Sequence, residues 1–220
     1  MKNRVVRRFK TGGAMASFAA GLFKRTLLHK SGGFTAALPG GATPARLFKE
    51  LASLPLPWEQ VVFFMSDERL VPASSPASNF GAARKALFSK IKVPSANLRP
   101  ARTPAALEKE ILKETKSSGR LDFVLLGLGA DGHTASVFPG SPAEKSEKLA
   151  LAVTAPRGVK PARRLTLTFR ALNRARLVVL MAAGPAKKSV FKLAARGERT
   201  IPAGRLRPAG KFYLLFSEEP

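Results

Sequence analysis

The sequence predicts an α/β protein with three layers, in which helices cover both faces of a largely parallel sheet. Short, continuously apolar segments alternate along the chain with amphipathic ones, and this alternation is typical of parallel sheets with helices on both faces. The chain has 220 residues, of which 45% are hydrophobic, and no low-complexity linker. This is enough for one sizeable core, and we expect a single domain over residues 1–220.

The first predicted element is a helix near the N-terminus. Apolar side chains recur there at the spacing of one helix face: Ala16, Ala19, Ala20, Phe23, Leu27 and Leu28. The basic start has the outline of a secretory signal, but the segment lacks a leucine-rich core and runs straight into Lys24. Its uncharged stretch, residues 11–23, is too short and too weakly apolar to span a bilayer. We therefore expect a surface helix in a cytoplasmic protein.

The rest of the chain alternates strands and helices. Strands are predicted at residues 34–38, 61–65, 121–126, 149–154, 165–169, 177–181 and 212–216. Helices are predicted from Thr43, over 79–90, from Thr103, and over 185–196. Thr43 and Thr103 each precede a proline, and this pair suits the N-cap and the first helical position. The strand at 61–65 is apolar throughout, as expected when both faces of a sheet are covered.

Three predicted loops carry unusual chemistry, at the carboxyl ends of strands where such folds bind ligands. The first is Pro39 to Pro44. Gly40 and Gly41 let the backbone approach a ligand closely, and the helix start behind them offers free N–H groups to an anion. Thr43 can add its hydroxyl. The loop is either a phosphate cradle or a tight turn before a helix.

The second loop is Ser66 to Arg69, directly after a predicted strand. Arg69 can bind a phosphate through its fork of donors. Asp67 can orient a histidine or accept a hydrogen bond from a sugar hydroxyl. The alternative is a local cluster of salt bridges.

The third loop, Gly127 to Thr134, follows the strongest predicted strand. It satisfies the G-x-G-x-x-G pattern, but a dinucleotide site is rejected because Pro139 interrupts the following helix too early and no acid follows the next strand. His133 is one of two histidines in the chain and lies among small residues. Imidazole titrates near neutral pH, so His133 is a candidate general base, with Asp67 or Asp131 orienting its ring.

The composition restricts the kinds of site and partner. Lys and Arg number 38 against 14 Asp and Glu, a formal charge of +24, which favours anionic ligands without specifying which. The absence of cysteine excludes disulfides and thiolate sites, and two histidines argue against a metal site built from imidazoles. No recognition module for nucleic acid is evident. We expect no specific nucleic-acid partner beyond non-specific adsorption, no membrane partner, no metal and a monomer.

The loops together resemble the signature blocks of the 6-phosphogluconolactonase family. The matching blocks are residues 39–44, residues 67–69 with 78–80 after them, and residues 126–140. Two weaker blocks follow, at residues 164–168 and at Gly184 with Lys187. Pro39 stands where the family usually has a serine.

The resemblance implies a carboxylic ester hydrolase that converts 6-phospho-D-glucono-1,5-lactone to 6-phosphogluconate in the oxidative pentose phosphate pathway. It implies a fold of the NagB/RpiA/CoA-transferase type and no cofactor. His133, assisted by Asp131 or Asp67, would activate water directly, since Ser66 and Ser136 do not lie in a G-x-S-x-G elbow. The substrate phosphate would be bound by Arg69, Lys187, Arg164, Gly40, Gly41 and Thr43.

Two other functions fit the same blocks, and a third follows from the charge. A sugar-phosphate sensor would keep the binding groups without catalysis. A glucosamine-6-phosphate deaminase typically has Asp-Glu-Tyr in place of residues 67–69, and Ile-Ala-Phe-Asn-Glu in place of residues 134–138, so the lactonase is favoured. A nucleic-acid-binding protein is the remaining alternative.

Overall fold

A computed structural model describes residues 3–219 of the chain. The strands are β1 Arg4–Phe9, β2 Phe34–Leu38, β3 Val61–Met65, β4 Asp67–Arg69, β5 Leu98–Arg99, β6 Phe123–Gly127, β7 Ala150–Thr154, β8 Arg163–Leu167, β9 Leu177–Ala183 and β10 Lys211–Ser217. The helices are α1 Gly12–Leu28, α2 Ala42–Ala52, α3 Asn79–Ala86, α4 Pro104–Glu114, α5 Phe169–Arg174, α6 Lys188–Arg196 and α7 Pro202–Arg205. Among these residues no helix is long and apolar enough to cross a membrane.

Seven strands form one parallel sheet in the order β1-β10-β9-β6-β2-β3-β5. One face packs against α1, α2 and α3 through side chains such as Phe23, Leu47 and Ala83. The other face packs against α4 to α7, which contribute Ile111 and Phe191 to a separate apolar cluster. The sheet is thus covered on both sides, and the predicted three-layer α/β/α class is confirmed.

A second, three-stranded sheet in the order β4-β8-β7 was not predicted. Its strands pair antiparallel, with Asp67 opposite Thr166 and Ala150 opposite Leu167. The segments 149–154 and 165–169 were expected in the main sheet, and that expectation was wrong. The connection between β7 and β8 lacks the crossover helix that a parallel pair requires, so the two strands form a hairpin.

Several predicted boundaries are also corrected. The predicted helix over 79–90 ends at Ala86, where the chain turns so that both Leu87 and Phe88 become buried. The predicted strand at 165–169 ends earlier, because Thr168 caps α5 instead. The predicted helix over 185–196 begins with a separate short 3₁₀ turn.

Strand β1 was not predicted from the sequence, and one residue of α1 was assigned to the wrong face. Strand β1 lies at the edge of the sheet and carries exposed arginines at Arg7 and Arg8, so it lacks the continuous apolar run of the central strands. Helix α1 is confirmed, with Thr11 at its N-cap. Leu28, assigned to its buried face, is 54% exposed.

The start of β6 is joined to β2 by a buried carboxylate. Asp122 Oδ2 accepts hydrogen bonds from the backbone N–H and hydroxyl of Thr35, at 3.0 and 2.9 Å. Lys30 Nζ and Arg176 Nε lie 3.1 Å from its two oxygens. Asp122 lies at the amino end of its strand, away from the candidate site described below, so its role is to hold neighbouring strands together.

Replacing Asp122 with Ala should destabilise the fold without altering the site. Loss of charged, buried hydrogen bonds at Thr35 and of the two ion pairs should cost about 2–3 kcal/mol of unfolding free energy. The midpoint of urea denaturation measures this loss. Glu147→Ala is the control, because the 85% exposed carboxylate of Glu147 also pairs with an arginine, Arg170, and exposed pairs contribute about 0–1 kcal/mol. Equal losses in the two variants would contradict the role given to Asp122.

Candidate active site

A cleft of about 370 Å³ opens at the carboxyl ends of β2, β3, β6 and β9. The three loops that the sequence singled out meet there, together with β8 and the turn after β9. The lining residues are Pro39, Gly40, Gly41, Ala42, Thr43, Pro44, Asp67, Arg69, Asn79, Gly127, Leu128, Gly129, His133, Ala135, Arg164 and Lys187. Every predicted site residue except Asp131 lines this cleft. Asp131 is hydrogen-bonded to His133, which lines it.

His133 and Asp131 form a hydrogen-bonded pair in the turn after β6. Nδ1 of His133 lies 2.5 Å from Oδ1 of Asp131, which also accepts the backbone N–H of His133 at 3.1 Å. The turn is closed by a hydrogen bond from Gly129 N to the carbonyl of His133. A Cβ atom on Gly129 would lie 2.0 Å from Nδ1 of His133, so only glycine leaves room for the pair.

The charge state of Asp131 determines which ring nitrogen of His133 carries a proton. Burial tends to raise the pKa of the Asp131 carboxyl, but hydrogen bonds from the backbone and ring of His133, with the charge of that ring, hold it below its usual value. An ionised carboxylate can only accept hydrogen bonds. Nδ1 of His133 therefore carries the proton, and in the neutral ring Nε2 is the free acceptor.

Asp67 lines the same cleft but makes no hydrogen bond to His133 within residues 3–219. Its Oδ2 accepts a hydrogen bond from Ser136 Oγ at 2.7 Å. Asn79 Nδ2 donates to its backbone carbonyl at 2.8 Å and lies 3.3 Å from Oδ1. Of the two acids considered for orienting the imidazole, Asp131 is the one in position.

Three cations line the cleft. Arg69 and Arg164 are opposite each other in the β4–β8 pair, and Lys187 follows β9. Burial, followed by the positive charge of Arg69, lowers the pKa of the Arg164 guanidinium, while Asp67 and Glu68 oppose that shift. Two arginines held this close repel each other, and a bound dianion would relieve the repulsion.

The glycine loop after β2 differs from the prediction in one respect. Thr43 was expected to cap α2, but the helix begins at Ala42 with Gly41 as its N-cap and no side-chain cap bond. Gly41 has a φ of 103°, which side-chain-bearing residues rarely adopt, and this turns the chain into the helix two residues early. Thr43 lies in the first helical turn and still faces the cleft.

Asn79 and Ser136 were not recognised as site residues from the sequence. Both are buried and both hold Asp67, although only Asn79 lines the cleft. Ser136 follows Ala135, whose φ of 49° is unusual for a residue with a side chain. The sequence signal for these two residues was that they lie in the blocks 78–80 and 126–140, which resemble the family. Spacing along the chain does not indicate that Ser136 contacts a residue 69 positions away.

Glu68 has a structural role that the sequence did not indicate. Its carboxylate accepts hydrogen bonds from three backbone N–H groups, those of Arg69, Asn79 and Phe80, at 2.6–2.7 Å. It therefore ties the start of α3 to β4 and makes no salt bridge within residues 3–219. In the same part of the chain no group of three His, Cys, Asp or Glu is arranged to hold a metal ion.

Comparisons with known proteins identify the family of this chain. The family described as glucosamine-6-phosphate isomerases/6-phosphogluconolactonase matches residues 13–214. A 6-phosphogluconolactonase from Synechocystis sp. is 37% identical over 201 residues, which cover 84% of this chain and 82% of that protein. A crystal structure of 6-phosphogluconolactonase from Thermotoga maritima matches with a TM-score of 0.85 and 29% identity, covering 98% of this chain and 100% of that one.

A third similarity concerns the fold alone. A monomeric glucosamine-6-phosphate deaminase, described as the missing link of the NagB superfamily, has a TM-score of 0.81 at 20% identity and covers 96% of each chain. The expected NagB-type fold is confirmed. With the family match over most of its length, the chain belongs to the glucosamine-6-phosphate isomerase/6-phosphogluconolactonase family.

Proposed function

We propose that this protein is a 6-phosphogluconolactonase, which hydrolyses 6-phospho-D-glucono-1,5-lactone to 6-phosphogluconate in the pentose phosphate pathway. The similarity to 6-phosphogluconolactonases of two organisms supports the activity. One observation carries the proposal for the site: a carboxylate-held imidazole and three cations line a single cleft. A cytoplasmic location, a single domain and a monomeric state stay predictions.

The chemical step needs a base beside the lactone carbonyl. Nε2 of His133 takes a proton from water, whose oxygen then forms a bond to the carbonyl carbon. The tetrahedral intermediate collapses with cleavage of the bond from that carbon to the ring oxygen. The imidazolium returns its proton to the ring oxygen, which becomes a hydroxyl. Asp131 stabilises the imidazolium between these two transfers.

Binding of the substrate phosphate holds the lactone in position beside the base. Arg69, Arg164 and Lys187 supply the positive charge, and the Gly40–Gly41 loop with the first turn of α2 supplies backbone N–H groups. Anchoring a group remote from the carbonyl holds the reacting carbon against the base, and this use of binding energy accelerates the chemical step.

Asp67 has a different task in this proposal. Its carboxylate is buried and held by Ser136 and Asn79, while Asp131 already occupies Nδ1 of His133. A carboxylate fixed in this way is an acceptor for a hydroxyl of the sugar ring, and it selects the orientation in which the lactone carbonyl meets the base.

The decisive experiment compares the wild-type protein with His133→Ala on freshly made lactone. Removal of the base should lower kcat by roughly 10²–10⁴-fold with little change in substrate affinity. Acid release is followed at constant pH after subtraction of spontaneous hydrolysis, and affinity is measured separately with 6-phosphogluconate. Ammonia release from glucosamine 6-phosphate is assayed in parallel.

The alternatives give different results in this experiment. A sensor would bind the sugar phosphate but show no turnover in the wild-type protein. A deaminase would release ammonia from the amino sugar. A His133→Ala variant with near-native kcat would remove His133 from the mechanism even if the lactonase activity stands.

Asp131→Asn should lower the rate while the base itself remains in place. Because the pKa of Asp131 lies below its usual value, the carboxylate stays charged throughout the neutral range and holds the proton on Nδ1 of His133. An amide in its place can donate to Nδ1 and favour the tautomer in which Nε2 carries the proton, so kcat should fall about 10²–10⁴-fold. A near-native kcat in steady-state kinetics would show that Asp131 does not act through His133.

Lys187→Ala should separate phosphate binding from catalysis. Loss of one charged contact should reduce kcat/KM for the phosphorylated lactone about 10–100-fold, and unphosphorylated gluconolactone should be affected less than about threefold because it has no dianion. Lys188→Ala is the matched control, since this exposed neighbour does not line the cleft. Equal losses on the two substrates would assign Lys187 another role.

A further inference from the structure

The cleft accounts for only a small part of the positive charge. Among residues 3–219 five lysine or arginine side chains form ion pairs with carboxylates: Lys30, Arg99, Arg170, Arg176 and Arg205. From Lys148 to Gly197 the chain holds twelve Lys and Arg and no Asp or Glu. Residues 1–49 hold ten Lys and Arg and likewise no Asp or Glu. The surplus is therefore concentrated in two parts of the sequence, one that includes β1 and one that includes α6.

Helix α6 presents a row of cations to solvent. Lys188, Lys192 and Arg196 are four residues apart and exposed, and residues at that spacing lie on one face of a helix. Within residues 3–219 none of these three side chains makes a hydrogen bond or an ion pair. The opposite face, with Phe191, packs against the sheet. At 1.5 Å per residue the row is about 12 Å long.

Strand β1 extends this row. Phe191 of α6 packs on Phe216 of β10, with ring centroids 5.0 Å apart. Arg8 is the register partner of Phe216, so its exposed side chain lies on the α6 side of the sheet. Arg4, four residues earlier, donates from Nη1 to the carbonyl of Ala194 at 2.8 Å, which places β1 directly against α6. We define Lys188, Lys192, Arg196 and Arg8 as the basic face.

Acidic residues lie at the ends of the basic face and not within it. Glu198 follows the C-terminus of α6, and the N–H of Glu218 bonds to the carbonyl of Phe9 at the end of β1. Neither α6 nor β1 contains an acid. The positive potential along the row is therefore uncompensated over its length.

The form of the basic face indicates a repeating anion. Its cations are exposed and those of α6 are spaced along about 12 Å. Each nucleic-acid strand places a phosphate about every 3.4 Å along a duplex, so about three to four phosphates span the row. A membrane-bound helix would expose an apolar face, but that face of α6 is buried. A stable protein interface needs about 800 Å² per partner around an apolar centre. Among the described residues of α6 and β1, the exposed large apolar side chains are those of Val6 and Leu193 alone.

We propose that the basic face binds the phosphate backbone of nucleic acid without sequence preference. Binding of this type needs rows of Lys and Arg and no contacts to bases. It is independent of lactone hydrolysis, since none of the four residues lines the cleft.

The test compares two charge-matched double variants. Lys192→Gln/Arg196→Gln removes two cations of the basic face, and Lys109→Gln/Lys113→Gln removes two exposed lysines at the same spacing on α4. Around the α4 pair, Glu110 and Glu114 contribute opposite charge. Both changes alter the net charge equally. Fluorescence anisotropy is measured with labelled 20-base-pair duplexes of two unrelated sequences, between 50 and 200 mM salt.

The double variant Lys192→Gln/Arg196→Gln should bind the duplexes about tenfold more weakly than the wild-type protein at 50 mM salt. The slope of log affinity against log salt should fall by about 1.8, which corresponds to the loss of two phosphate contacts. The α4 pair should weaken binding less than about threefold, and the two duplexes should behave alike. Wild-type lactone turnover in both variants would show that they are folded. If the α6 pair does not fold, Lys192→Gln against Lys109→Gln should give half the change in slope.

Four results would overturn the proposal. Equal losses for the two pairs would mean that the charge acts diffusely, and no binding by the wild-type protein would mean that it does not act at all. A preference for one duplex would indicate base readout. The same variants are tested on vesicles rich in anionic lipid, and discrimination there without discrimination on DNA would assign the basic face to a membrane instead.

Discussion

The site depends on the parallel pairing of β2, β3, β6 and β9. Parallel strands end at the same edge of a sheet, so loops that are distant in sequence meet there. The glycine loop after β2 and the His133 turn after β6 become neighbours because β2 pairs directly with β6. Asp122 holds the opposite ends of these strands together, which keeps their carboxyl ends in register with one another.

The cleft keeps its acids and its cations in separate roles. Asp131 is bound to His133 and Asp67 is bound to Ser136, so neither forms an ion pair with the cations of the cleft among residues 3–219. Arg69, Arg164 and Lys187 consequently have charge available for a ligand. The phosphorylated lactone that we propose as substrate would satisfy both sides of this arrangement, because its dianion would meet the cations while its carbonyl would meet the base.

The charge of the protein acts at two different scales. Inside the cleft, short and partly buried contacts are screened weakly by salt, whereas an exposed row such as the basic face is screened over about 10 Å at 0.1 M salt. The two sets of cations meet at the start of α6, where Lys187 faces the cleft and Lys188 begins the basic face. A long-range attraction for anions can therefore coexist with a local site for one small substrate.

The sequence by itself determined the fold class, most central elements and the contents of the three loops, because apolar periodicity and glycine turns are local signals. It did not reveal the antiparallel sheet of β4, β8 and β7, since strand direction depends on which partner a strand meets. Only the tertiary structure selected Asp131 over Asp67 as the partner of His133 and placed Ser136 against Asp67. Ser136 and Asp67 are 69 residues apart and belong to different elements, and the distance between such side chains is not encoded in their spacing along the chain. Asp131 is two residues from His133, but spacing does not show that the turn directs its carboxylate to the ring.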